Sequence, residues 1–205
     1  MRDDNYLFIG NDLRAILENR EHEMFSEIES FNSVELVNAS DEIIAESFFN
    51  KYSLELPRLI EDKITQKKEE TQVDVSQDFN RGIHDRSRPY YLTGTKITFF
   101  VPFEGNGGLF NYQSSTYSLN PPCAVVRNGE ILVTFSFLNH DVQAIKKQFE
   151  GTLAQIKQLL VGTGNDVGIY NEGLKQKAIN RIKTRREKIL KDQKFVDELG
   201  FPSHD

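Results

Sequence analysis

Thr95 to Leu138 reads TKITFFVPFEGNGGLFNYQSSTYSLNPPCAVVRNGEILVTFSFL, and this stretch decides the fold class. Lys96 to Phe103 is β-branched and aromatic, the composition of a strand. Cys123 to Arg127 and Glu130 to Phe137 flank Asn128-Gly129, and Asn-Gly between two such runs predicts a two-residue type I′ hairpin. Upstream, Ile64 to Val75 (ITQKKEETQVDV) alternates weakly and is rich in Lys and Glu, which predicts a strand at a sheet edge, where charge discourages further pairing. Tyr90 to Phe103 is the next strand, with Gly94 as a bulge or turn and Pro102 near its end. These pieces predict a mainly antiparallel sheet of about four strands.

Helical periodicity flanks the sheet on both sides. Ile9, Leu13, Ile16 and Leu17 predict a helix over 6–17, or one that starts late, at Asn11. Met24, Phe25, Ile28 and Phe31 predict a second helix, which Asn32-Ser33 ends. Ser40 followed by Asp41 and Glu42 has the form of an N-cap with acids in the first turn, and Pro57 closes the helix that follows. After the sheet, Asn139 or Asp141 caps a helix carrying Val142, Ile145, Phe149, Leu153, Ile156 and Leu160. Gly162-Thr163-Gly164 is expected to break it. A second helix follows, with Val167, Tyr170, Leu174, Ala178, Ile182 and Ile189 on one face, and then a short one over 191–199, stopped by Gly200 and Pro202. The expectation is therefore an α+β chain: N-terminal helices, an antiparallel sheet and a C-terminal helical hairpin. It divides into an acidic helical and β-sheet domain over 1–138 and a helical hairpin over 139–205, packed on the same domain.

Composition narrows the function classes. The 205 residues carry a net charge of −6, which does not favour nucleic acid as a whole-molecule partner. The single cysteine, Cys123, excludes an internal disulfide and suits a reducing compartment. The acidic first residues are not those of a signal peptide, and no apolar run reaches the length of about 18 residues that spans a bilayer. A cytoplasmic protein without a membrane partner is expected. Charge is segregated: acids outnumber bases by about three to one over 1–62, whereas about nine bases face two acids over 175–194.

No catalytic set emerges. The glycines of 104–110 (EGNGGLF) precede no helix and no Lys-Ser or Lys-Thr, so a turn is expected rather than a phosphate loop. His84-Asp85-Arg86-Ser87-Arg88 mixes the right groups for hydrolysis, but triads are defined by geometry, not adjacency, and a solvated loop is the default. His22, His84, His140 and His204 lie far apart without a paired cysteine, so no metal site is expected. Asp74 with Asp78, or Glu61 with Asp62 and Lys63, lack the strand context of a metal-dependent nuclease. The chain is read as a non-enzyme without cofactor. The basic helix supplies the candidate contact residues: Lys177, Arg181, Arg185, Arg186 and, on its apolar side, Ile189. Counterion release would let such a face bind a phosphate backbone. Alternatively, the cations complement the helix dipole and the acidic N-terminal half.

Four segments in order carry a resemblance: QVDVSQDF, GTKITFFVPFEGNGGLF, LNPPCAVVRNGEILVTF and NDVGIYNEGLKQKAINRIKTRREKILKDQKFVDELGFP. Together they resemble the N-terminal region of uncharacterised bacterial multidomain proteins, some linked to antiphage defence. In those proteins a nuclease-like or TIR-like effector follows the LGFP-like end. The resemblance implies a sensor or interaction module that controls an effector domain or partner protein, with no active residue of its own. Self-association through the helical hairpin is a further partner expectation, with Ile182, Ile189 and Leu190 left exposed. The alternative function is a nucleic-acid-binding module using the basic helix.

Overall fold

The computed structural model describes residues 6–139 and 141–201. It is α+β, with four α-helices and a five-stranded antiparallel sheet. Two compact units interleave along the chain: one comprises 1–10 and 56–163, the other 11–55 and 164–205. A split at residue 138 assumes that chain order and compactness coincide, and here they do not.

The first unit holds the sheet. Strands β1 (Arg58–Leu59), β2 (Thr65–Asp74), β3 (Tyr91–Glu104), β4 (Val125–Arg127) and β5 (Glu130–Phe137) make it up. β3 is the spine: β1 and β2 pair along one side of it, β5 along the other, and β4 closes the sheet beyond β5. β2 is thus an edge strand, as its charges predict. Two-residue β1 is the strand that the sequence reading lacks, since two residues carry no periodicity. At the hairpin Asn128 and Gly129 have φ of +53° and +78°, and Arg127 pairs with Glu130, the type I′ geometry expected. Gly94 is no bulge, because pairing runs one-to-one through Thr71–Gly94. A Cβ there would lie 2.7 Å from the Phe137 carbonyl oxygen, so the glycine answers a close approach of backbone.

Because side chains alternate along a strand, Ile97, Phe99, Val101 and Phe103 share one face of β3 with Ile131, Val133 and Phe135 of β5. The core forms on this face with Phe149, Leu153, Ile156, Leu159 and Leu160 from α4 (Val142–Leu199). Phe110 plugs the same core. The glycine-rich stretch is a turn running into a short 3-10 helix, Gly107–Asn111, that carries Phe110 inward, with Asn106 accepting a hydrogen bond from the Gly108 N–H at 2.9 Å. Residues 6–10 are not helical. They form an irregular turn, with Phe8 at φ +61°, held by the Leu7 N–H on the Pro122 carbonyl and the Gly10 N–H on the Asn111 carbonyl, both at 2.9 Å.

The second unit is helical: α1 (Leu13–Ser30), α2 (Ser33–Asn38), α3 (Asp41–Tyr52) and the later part of α4. The late start is the observed one, with Asp12 capping α1, and the two helices expected before Asn32 are one. Asn32 does end the periodic pattern, but as the N-cap of α2, whose six residues are too few to show a period. Ser40 caps α3 through the Ile43 N–H, as its motif predicts.

The helical hairpin is overturned. α4 is one continuous helix of 58 residues, capped by Asp141, whose side chain accepts from the Ala144 N–H, and ended at Gly200 with φ +69°. Pro202, also expected to stop it, lies outside the described residues. Glycine costs only about 1 kcal/mol in a helix interior, less than the apolar face on either side of it recovers by packing. Gly162 is small for another reason: a Cβ there would stand 2.8 Å from the Thr116 Cβ. The division between the two units nevertheless passes at Thr163 and Gly164, where the sequence suggests a break.

A prediction separates the glycines. Gly168 has open space where a Cβ would go. Gly168→Ala is expected to raise stability by up to about 1 kcal/mol through helix propensity. Gly162→Ala is expected to lower it by about 1–3 kcal/mol through overpacking. Urea denaturation of the two variants checks the opposite signs; equal gains would show Gly162 to be merely tolerated.

Candidate functional site

The basic face of α4 is the candidate contact surface, and its geometry lies within the second unit. α1 and α2 carry no basic residue in their last turns, so their terminal carbonyls need donors from elsewhere. α4 supplies them. The Arg185 guanidinium donates to the carbonyls of Ile28 and Phe31 at the end of α1. Arg186 donates to Leu36 at 2.8 and 2.6 Å and to Ala39 at 2.5 Å, at the end of α2. Its Nη1 also stands 2.5 Å from Asp41 Oδ1, an ion pair that is not aligned as a hydrogen bond. Arg20 of α1 does the same for α3, donating to the Tyr52 carbonyl. Three arginines thus complete three helix ends, where positive charge also complements the dipole.

Three further cations meet acidic N-terminal residues. Lys177 pairs with Glu21 at 2.6 Å, Arg181 with Glu29 at 2.6 Å and Lys175 with Glu46 at 2.5 Å. Arg181 also lies over the Phe25 ring, 5.8 Å from its centroid. The charge segregation in the sequence is therefore a complementary pair of surfaces. Lys177, Arg181, Arg185 and Arg186 are all engaged within the unit, so a phosphate backbone would have to displace carboxylates and carbonyls already in place.

Tyr52, Glu27 and Lys51 form a small polar cluster beside them. The Tyr52 hydroxyl donates to Glu27 at 2.5 Å and Lys51 to the same carboxylate at 2.6 Å. Those bonds, from Lys51 first, hold Glu27 below the usual carboxylate range. Burial, with the Glu27 carboxylate next, pushes the Tyr52 hydroxyl up to about 12. Tyr170 donates its hydroxyl to the Tyr52 carbonyl at 3.1 Å, and the Asn171 amide brackets Leu54, accepting from its N–H at 3.1 Å and donating to its carbonyl at 2.9 Å. Asn171 had no signal in the sequence, because a single amide on a helix carries no pattern.

The apolar side divides. Ile182 is fully buried in the core with Leu174 and Ala178, which corrects the expectation that it overhangs. A position eight residues after Leu174 lies on the same side of the helix, and α1 to α3 pack there. Ile189 is half-buried and Leu190 exposed. From 190 to 199 every residue is exposed, Phe195 at 63% and Leu199 at 53% among them.

The other candidates do not assemble a reaction centre. Arg86 holds the 76–90 loop together, donating to the carbonyls of Ser76, Asp78 and Arg81, with Phe79 against its guanidinium. The Ser87 hydroxyl donates to Asp85 at 2.5 Å, which with the Ser87 N–H keeps the Asp85 carboxyl low, and His84 bonds neither. Asp74 is a loop clasp that accepts from the N–H groups of Ser76 and Tyr90. Asp78 pairs with Arg81 and Glu61 with Lys157. Among the described residues no three His, Cys, Asp or Glu side chains are grouped to hold a metal, and no helix is long and apolar enough to cross a membrane. His140 and His204 lie outside the described residues. Comparison with protein-family models, curated proteins and solved structures gave no match.

Proposed function

We propose that the chain is a non-catalytic interaction module and that the end of α4 is its partner surface. The observation that carries this is the run 190–199, helical yet exposed at every position. Helix propagation is easy once a nucleus is anchored, and the packed part of α4 provides one. Propagation accounts for the helix but not for its composition. A helix meant for water would be polar all round. This one shows Phe195 and Leu199 at i, i+4, with Val196 between them and Ile189 one heptad before Val196. Contiguous exposed apolar side chains of this kind mark interaction sites.

The partner is an amphipathic helix laid along this stripe, and a second copy of the chain offers one. Control of an effector domain or partner protein, in bacterial defence as the resemblance implies, is the role such a surface would serve. Sedimentation velocity over a range of concentrations tests it. The wild type is expected to self-associate as concentration rises, and Val196→Asp with Leu199→Asp is expected to remain monomeric with an unchanged melting temperature. A wild type that stays monomeric up to the highest soluble concentration sinks the reading.

A further inference from the structure

The sheet unit contains a cleft that its own core does not fill. Phe149 of α4 stacks on Phe99 of β3 with ring centroids 4.1 Å apart. One turn earlier the helix carries Ile145, and before it Val142, which is 68% exposed. Below them Ile97 continues the floor, and Ile64 stands opposite. The space between them, a cleft open to solvent, is about 760 Å³. Protein interiors normally close such gaps to crystal-like density, and clefts of about 300–1,000 Å³ with apolar walls are the usual form of a small-molecule site.

The charges at the mouth say which molecule fits. Glu61 is held by Lys157 at 3.1 Å, and Lys146 lies 3.8 Å from Glu150 on its own helix. Of the three charged residues that line the cleft, Glu61 is neutralised by Lys157, which stands outside the lining, and Glu150 faces Lys146, so the wall presents no unpaired charge to an ion. An ionic ligand would lose water against Ile97, Phe99 and Ile145 without a matching partner. Two neutral polar residues, Thr65 and Gln66, also line the cleft. Gln66 pairs with Phe99 across β2 and β3, so both side chains stand on the same face of the sheet. Its amide offers both a donor and an acceptor.

We infer that this cleft binds an uncharged, mainly apolar, ring-sized small molecule whose single hydroxyl or carbonyl meets Gln66. The full chain is titrated calorimetrically at pH 7 with three probes that share one ring system: 2-naphthol, 2-naphthoate and 2-naphthylmethylammonium. 2-Naphthol is expected to bind at a single site, with the anion and the cation each at least tenfold weaker. Val142→Trp, at an exposed position on the cleft wall, is expected to abolish binding. Val161→Trp, equally exposed but outside the cleft, is expected to leave it unchanged and controls for the added indole. No binding of 2-naphthol, equal or tighter binding of either ion, or full binding by Val142→Trp would each overturn the site.

Discussion

Arg186→Ala is expected to destabilise the helical unit by about 3 kcal/mol, the lower end of what removing one partner of a buried charge pair costs, because this pair is largely rather than fully buried. The side chain is only 20% exposed and Asp41 only 12%. Its loss would strand the Leu36 and Ala39 carbonyls, which α2 cannot satisfy itself, and leave the Asp41 carboxylate without its cation. Arg186→Lys keeps the charge but not the planar fork, and an intermediate loss is expected. Urea unfolding followed by far-UV circular dichroism reads both. The result also separates the two roles open to a basic helix. A phosphate contact on the surface would change stability by no more than about 0.5 kcal/mol. A stable Arg186→Ala variant would therefore show that the helix-end bonds contribute little.

Ile182→Ala should lower stability by about 2–5 kcal/mol, the range for truncating a fully buried aliphatic side chain. Ile182 lies on the stripe that α1 to α3 cover, after Val167, Tyr170, Leu174 and Ala178. The contrast is Phe195→Ala on the same helix, where the side chain is 63% exposed and little change is expected. Thermal melts of the two variants measure the difference. Equal effects would mean that the covered and uncovered parts of α4 are not distinct, and the partner surface would lose its basis.

Local chemistry made much of this protein readable before any coordinates. Asn128-Gly129 dictates its hairpin because few residues accept positive φ at two successive positions. Ser40 and Asp141 announce helix starts because their side chains satisfy N–H groups a few residues away. The alternation of β2 and the apolar run of β3 place both strands in an antiparallel sheet. Each of these signals lies within a few residues of its own effect.

What the sequence left undecided depends on atoms far apart in the chain. Gly162-Thr163-Gly164 reads as a break, since propensity counts only the helix itself, but α4 continues through it because packing on either side outweighs the glycines. The nine bases of 175–194 read first as a solvated or internal face, with a phosphate surface as the alternative. Only the packing of α4 against α1, α2 and α3 brings Arg185 and Arg186 onto carbonyls about 150 residues earlier. The cleft beside Ile97, Phe99 and Ile145 has no sequence signature at all. It exists because the helix wall and the sheet floor, each an ordinary apolar pattern, do not quite meet, and that gap is a property of three-dimensional packing alone.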